Sequence, residues 1–537
     1  MISPRAEAEA SQREASDPAV SAFVGASAGS GKTRLLTDRL LRLMVGDAKP
    51  ERILCLTFTK AAAAEMSLRL QARLGTWVTL DDAALQRALR DLAIDPTESA
   101  MRRARSLFAK VLDLPGGMRI STIHAFCQSL LRRFPLEAEL SPHFQLAEAR
   151  DASEAMSDAR EDLLASVRPR GPSNAPSDLE VALRALAGVA KLDRFGELVT
   201  ELKRGARAWR QADSLDTGPA AARRRILGVT EYDRASVIAA AVHWPQEAAL
   251  RTAAREVANL GAAKVKQNAS QMLEWLNLNH IGRADAWHVW RRLFLKADGQ
   301  PFAASSLVNV ALDRDRPALS PLLLAESERV LAIEDAACAA DVAMMSEALS
   351  TLAGPLLDRY DTRKQQSGLL EFDDLIGHST RLLVDPGAAW VLYKLDGGLD
   401  HLLLDEVQDT APEQWEIAHN LTQEFFAGAG ASEVARTVFA VGDRKQSIFS
   451  FQGADVAGFD RAHRRLEERV RGAGQQWAAP ELHVSFRSTT PVLALVDAVF
   501  DDPIAAAGVV QPGETMIHRA DRAGHAGCCL LYTSRCV

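Results

Sequence analysis

Eight consecutive residues, Ala26-Ser27-Ala28-Gly29-Ser30-Gly31-Lys32-Thr33, have the composition of a phosphate-binding loop. Gly29 and Gly31 let the backbone bend so that successive N–H groups aim at phosphate oxygens, at the positive end of the helix that follows. Lys32 supplies a mobile cation for the outer phosphates, and Thr33 a hydroxyl for Mg²⁺. A Gly-rich stretch alone carries little information. Its weight comes from its flanks: an apolar strand at 21–25, then a helical stripe of Leu36, Leu40, Leu43 and Met44 stopped by Gly46.

A second group lies far downstream. His401-Leu402-Leu403-Leu404 reads as a buried strand that delivers Asp405 and Glu406 at its C-terminal edge, where parallel sheets bind ligands. There Asp405 can hold Mg²⁺ through water, and Glu406 can orient and deprotonate an attacking water. An Asp-Glu pair after an apolar run is common in surface turns; Lys32 upstream is what raises its value. A third strand, 438–441, runs into Gly442-Asp443-Arg444-Lys445-Gln446, and the Gln446 amide can bond both a γ-phosphate and the attacking water. Phe449 and Phe451 follow on alternate positions; spacing alone leaves both base stacking and core packing open.

The elements that must position these groups alternate strand and helix. Residues 53–58 form a second apolar strand feeding a helix from Lys60, whose inner face is Met66, Leu70 and Leu74 and whose stop is Gly75. That strand–helix–strand unit implies an α/β fold with a parallel sheet covered by helices. From about 148 to 360 the pattern changes to Ala, Leu, Arg and Glu, with Trp209, Trp244, Trp275, Trp287 and Trp290 spread through helical periodicities. This reads as a large, mostly helical inserted domain, with a Pro-rich loop at 168–178. Strand signals then resume at 401 and complete the sheet.

At 537 residues, 47% hydrophobic and 25% charged, the chain is long enough for about three domains. No apolar run approaches the roughly 20 residues of a membrane helix, and residues 1–17 lack the apolar core of a secretory signal, so a cytoplasmic location is expected. Six cysteines are too few and too scattered for a disulfide framework. Cys55, Cys127 and Cys338 are expected to be buried thiols, while Cys528, Cys529 and Cys536 crowd the tail without metal-site spacing. The net charge of −7 leaves nucleic acid possible only through local stripes. Lys203, Arg204, Arg207 and Arg210, then Arg223, Arg224 and Arg225, form one such excess; Arg102, Arg103, Arg105 and Lys110 form another. Ordinary solvated helix faces explain them equally well.

Taken together, these segments resemble superfamily 1 DNA helicases of the UvrD/Rep type, and most specifically AddA-type helicase–nuclease subunits of bacterial double-strand-break repair. The resemblance implies a RecA-like P-loop NTPase sheet and the use of ATP and Mg²⁺. Ala26 at the loop's first position is common in that family. Gln12 matches its adenine-reading glutamine, whose amide can pair with N6 and N7 of adenine. Leu56-Thr57-Phe58-Thr59-Lys60 and Ser121-Thr122-Ile123-His124 match two DNA-contacting motifs, which assigns DNA contact to Thr57, Thr59, Thr122 and His124. His124 taken alone would be a structural histidine. Phe449 and Phe451 keep the aromatic face the family uses for stacking, and Gln452 in place of a common Arg favours the AddA branch. Gln408 and Asp409 would link the nucleotide site to the DNA track. The acidic residues of 370–375 match a segment assigned no catalysis. Arg487, in Val484-Ser485-Phe486-Arg487-Ser488, matches the motif that supplies an arginine finger to the γ-phosphate.

The implied domains are 1–147 and 361–480 as two parts of the ATP-binding lobe, 148–360 as the insertion, and 481–537 as the start of a second motor lobe. That second lobe is expected to be truncated, since its two further motifs and the nuclease residues are not found, and 527–537 is an atypical tail. One lobe alone is expected to bind ATP–Mg²⁺ weakly and to unwind nothing. The full protein is expected to be a 3′–5′ DNA helicase acting on single- and double-stranded DNA ends beside an AddB-like partner. The alternatives are a UvrD/Rep-type repair helicase without a nuclease and, for this stretch, an ATP- and DNA-binding module unable to unwind.

Overall fold

The computed structural model describes residues 4–167, 176–187, 192–204, 218–396, 398–426, 435–447, 456–507, 509 and 517–522. They fall into two compact units, Met1–Ala147 with Gly368–Val537, and Glu148–Ser367. Phe449, Phe451, Gln452, Trp209, Cys528, Cys529 and Cys536 lie outside the described residues.

The first unit is built on parallel strands. They are β1 (Ser21–Ala26), β2 (Ile53–Thr57), β3 (Arg119–Thr122), β4 (Gln145–Leu146), β5 (Leu369–Leu370), β6 (His401–Asp405), β7 (Thr437–Gly442), β8 (Trp477–Ala478), β9 (Glu481–Leu482), β10 (Val484–Thr489) and β11 (Arg519–Arg522). The main sheet runs β3-β2-β6-β7-β1-β8, with β9 also paired to β1; β4–β5 and β10–β11 form two small sheets of their own. β2, β6 and β7 are fully buried and apolar between their end residues Thr57, His401, Asp405 and Thr437, as strands covered on both faces must be. Alternate residues serve opposite faces. Phe23, Leu54, Leu404 and Val438 enter one core, while Val24, Cys55, Leu403 and Phe439 enter the other.

The register sets the site. Thr57 pairs with Thr122, Leu56 with Leu404, Asp405 with Val441, and Gly25 with Gly442. The C-terminal ends of β1, β2, β3, β6 and β7 are therefore level, and Lys32, Thr57, Thr122, Asp405, Glu406 and Gln446 lie at or just beyond that one edge, whereas Gln12 precedes β1 and Arg487 lies on β10 of a separate sheet.

Three helices matter here: α1 (Pro4–Ala15), α2 (Lys32–Val45) and α3 (Lys60–Thr79). The sequence reading stops α3 at Gly75, and the structure corrects this. The buried stripe Met66, Leu70, Leu74 continues to Trp77, and burying that indole outweighs the roughly 1 kcal/mol of a mid-helix glycine. The segment 370–375 is a helix start: the Glu371 N–H donates to Asp374 Oδ2 at 2.8 Å in a capping box.

The second unit is helical. Its longest element, Leu319–Gln366, runs 48 residues through Pro355. Trp275 stacks on Trp290 at 4.1 Å, Trp290 Nε1 donates to Glu326 at 2.9 Å, Trp287 Nε1 donates to Glu334 at 2.7 Å, and Arg329 covers Trp244 at 3.8 Å. Trp275, whose Nε1 donates to Arg283 O, Trp287 and Trp290 are thus core anchors with their polar ends satisfied, and Trp244 is buried beside them. Cys338 corrects another expectation. The inner face of the long helix is Ala337, Ala340 and Ala343, which turns Cys338 outward, exposed and beside Arg234, whereas Cys55 and Cys127 are buried.

The basic stretches have mostly structural employment. Arg102 pairs with Glu98, Arg103 donates to Val45 O, and Arg105 pairs with Asp82. Arg223 donates to Ser346 O, and Arg224 grips Glu347 through two nitrogens. Arg207 and Arg210, with the side chains of Lys203 and Arg204, lie outside the described residues.

Candidate nucleotide site

The loop between β1 and α2 is held on three sides before any ligand is considered. The Ser27 N–H donates to Leu482 O at 3.1 Å, the Phe486 N–H donates to Gly29 O at 2.9 Å, and Gln12 Nε2 donates to Ser30 O at 3.0 Å. Gly29 and Gly31 take φ of 76° and 92°, a region costly for any other residue, and Gly31 caps α2. A side chain at Gly29 would also strike Arg487 Cβ at 2.7 Å. The loop is therefore a preformed nest at a helix N-terminus. Ser30 Oγ is buried there without a hydrogen-bond partner among the described residues.

Lys32 begins α2 and reaches across the strand ends, placing Nζ 2.8 Å from Glu406 Oε2. Glu406 follows β6 with φ 51°, in the left-handed region, and its N–H donates to Asp405 Oδ1 at 3.0 Å. Burial, then the Glu406 carboxylate, pushes Asp405 up to about 7 against the pull of Lys32. A buried carboxyl held this reluctantly ionised is a group that a cation would suit. Gln446 lies in the short turn after β7 and donates Nε2 to Asp443 Oδ2 at 2.5 Å. Thr33 sits in the first turn of α2, where its carbonyl accepts from Thr37 Oγ1. Arg487 lies on β10, exposed, with its backbone against Gly29.

Gln12 is placed differently from a free base reader. It lies in α1, 8% exposed, with one of its two amide N–H groups given to the phosphate loop and its carbonyl and second N–H left for a base. Ala26 ends β1, Ala28 is exposed at the loop tip, and Ser27 is stitched to β9.

The residues of the two DNA-motif segments form a second group along the same edge. Thr57 and Thr122 are buried cross-strand partners, and Thr122 and Thr59 accept the N–H groups of Ala125 and Ala62 as helix caps. A capping hydroxyl accepts through oxygen and keeps its own proton to donate. His124 packs edge-on against Phe372 at 5.3 Å, and burial lowers its pKa, opposed by Asp373. A cleft lined by Thr57, His124, Asp405 and Trp415 joins this group to the carboxylates.

Arg39 went unnoticed in the sequence. It is wholly buried, donates to Ala15 O, Asp17 O, Val20 O and Thr437 Oγ1, and lies 4.8 Å over Phe439, so it nails the segment before β1 to the sheet. Burial lowers it to about 9. The available signal was a cation on the inner stripe of α2, between Leu36 and Leu40.

Lys32, Thr33, Ser30 and Asp405 together make a donor set that fits Mg²⁺–ATP: a nest of N–H groups, one cation, one hydroxyl and one reluctant carboxylate. No helix of the described residues is long and apolar enough to cross a membrane. The sequence profile of the UvrD/REP helicase N-terminal domain matches residues 8–467. The chain is 25% identical over 512 residues to an ATP-dependent helicase/nuclease subunit from Bacillus pumilus, covering 89% of this chain and 38% of that protein. It is 28% identical over 514 residues to the protein of the same name from Desulforudis audaxviator, with the same coverage. For the Moorella thermoacetica protein of that name the figures are 28% over 521 residues, 89% and 33%. The chain thus spans under two-fifths of the length of these relatives.

Proposed function

This chain belongs to the UvrD/REP helicase family, and from that premise we propose that it is the ATP-hydrolysing motor part of a DNA helicase of double-strand-break repair, of the helicase/nuclease type. The observation that carries the reading is the Lys32 Nζ–Glu406 Oε2 contact of 2.8 Å beside Asp405, on the edge that also presents Thr57 and Thr122. In this reading the N–H groups of 27–33 and Lys32 hold the phosphates, Thr33 and Asp405 hold Mg²⁺, and Gln12 reads adenine. Mg²⁺–ATP supplies the transferable phosphoryl group and a divalent charge on it. Glu406 takes the proton of the attacking water at its carboxylate, Gln446 orients that water through its amide, and Arg487 offers a cation to the γ-phosphate. Thr57, Thr59, Thr122 and His124 contact single-stranded DNA, and Phe449 and Phe451 stack on its bases. Residues 148–360 are the insertion between two parts of one motor lobe, and 481–537 begin the second.

Relatives whose names make them subunits support a heteromeric assembly, here with an AddB-like partner on DNA ends. Movement is assigned as 3′–5′. The deciding experiment measures ATP hydrolysis with and without oligothymidylate. Stimulation by DNA, abolished by Lys32→Ala, is expected; hydrolysis indifferent to DNA or surviving Lys32→Ala at the parent rate sinks the reading. Displacement of streptavidin from the 3′ end rather than the 5′ end by the full-length protein would reverse the polarity.

A further inference from the structure

Gln408 lies 3% exposed between the ends of β6 and β7 and uses both ends of its amide. Its Nε2 donates to Glu406 Oε2 at 2.7 Å, the same oxygen that accepts Lys32 Nζ at 2.8 Å. Its Oε1 accepts the Asp443 N–H at 2.9 Å. Asp443 in turn accepts from Gln446 twice, through Oδ2 from Nε2 at 2.5 Å and through its carbonyl from the Gln446 N–H at 2.9 Å. An unbroken chain of hydrogen bonds therefore runs Glu406–Gln408–Asp443–Gln446.

Resting on the function proposed above, we infer that Gln408 is a positioning residue that couples the proton-accepting Glu406 to the water-orienting Gln446. Only an amide can do this at that place. A carboxylate would set a second negative charge against Glu406, and an apolar side chain would leave both the Asp443 N–H and the Glu406 oxygen without this partner. Gly442 supports the same assignment: a Cβ there would lie 2.6 Å from Gln408 Oε1 and 2.8 Å from Val407 Cγ2, so the strand end is bare where the amide crosses it. Glu406 needs such a holder. It sits at φ 51°, outside the ordinary wells of a non-glycine residue, and its carboxylate has two donors. When Lys32 is drawn to phosphate, Gln408 is the donor that keeps Glu406 aimed. The displacement of either strand end is then felt at the other through one side chain.

The test uses the 537-residue chain with Gln408→Met, which at similar length removes both bonds together with a longer one from Nε2 to Asp409 Oδ2 at 3.3 Å, and Gln408→Glu, which keeps only the acceptor for Asp443. ATP hydrolysis at saturating oligothymidylate should fall roughly 10- to 100-fold in kcat for both, because a misaimed base costs about that much. KM for ATP and the Kd of a fluorescent ATP analogue should stay within about twofold, a split that general loosening of the fold would not produce. Glu406→Gln should cost less kcat in either variant than it costs in the parent, so that the two losses fall short of multiplying. Parent-like kcat in either variant, or a loss carried entirely in KM, overturns the inference. A second readout needs no turnover. In denaturant unfolding, Glu406→Ala and Gln408→Met should be non-additive by at least about threefold in the unfolding constant, whereas independent sites would add; additivity overturns the coupling. A parent chain with no hydrolysis above its Lys32→Ala background defeats the proposed function instead, and the unfolding cycle still judges Gln408.

Discussion

Glu406 and Lys32 neutralise each other across the strand ends, and this has a consequence for ligand affinity. A phosphate must compete with the Glu406 carboxylate for Lys32 Nζ, which lies 2.8 Å away. Glu406→Gln removes the competitor along with the proposed base. Hydrolysis is expected to drop at least about 100-fold, while nucleotide affinity stays level or rises a few-fold. Filter binding and a phosphate-release assay on the same preparation check both halves; weaker nucleotide binding in the variant would contradict the pairing. His401 gives a residue-scale pH dependence. Burial, then the Arg39 cation, lowers it to about 4. Its Nδ1 lies 2.9 Å from Thr437 Oγ1, which also accepts from Arg39, so the neutral ring is hydrogen-bonded in either tautomer. The unfolded chain protonates His401 near 6.5 and the folded chain only near 4, so stability is complete above pH 6.5 and is lost as pH falls through that window. By pH 5 the loss is about 2 kcal/mol. His401→Asn should reduce the fall in unfolding free energy from urea melts between pH 7 and 5 by about 2 kcal/mol, and an unchanged fall would count against it.

At the scale of elements, the strands and helices bearing the chemistry were legible, because fully buried parallel strands and an amphipathic helix have plain signatures. Lys32–Val45 follows from its stripe, and β2, β6 and β7 follow from their apolar runs. The end of α3 was not legible. Gly75 is a breaker by propensity, and only the tertiary burial of Trp77 overrides it. The face Cys338 takes was legible in part: its immediate neighbours are alanines, but Glu334 and Asp341, one turn to either side, mark its face as polar. In the site, Lys32, Asp405 and Glu406 were legible because their types are informative. The bonds to Ser30 O, Gly29 O and Leu482 O were not, because main-chain partners far apart in sequence carry no residue signature. Gly29 shows how tightly this element is built. Gly29→Ala meets both an unfavourable φ and the Arg487 Cβ at 2.7 Å. It should lower nucleotide affinity at least about tenfold and stability by roughly 1–3 kcal/mol. Calorimetric titration and a thermal melt decide this, and parent-like values in both would mean the loop is looser than its geometry.

Across the whole molecule, each unit owns its cores: two apolar clusters cover the faces of the parallel sheet, and separate clusters built on tryptophan and alanine hold the helical unit. The chain leaves the first unit after β4 and returns at β5, and these two strands are paired, Gln145 with Leu369 and Leu146 with Leu370. The Gln145 N–H donates to Gly368 O and the Ala147 N–H to Leu370 O, each at 2.9 Å. Departure and return are thus clasped together in the first unit's own backbone, like the two handles of a bag whose contents are Glu148–Ser367. Such a bag can be emptied. Replacing 148–367 by a Gly/Ser linker of about a dozen residues, enough for a parallel crossover, should leave a soluble sheet unit that still binds nucleotide. A melt and a nucleotide titration of that miniature would reveal whether the sheet unit can be cast without its largest attachment.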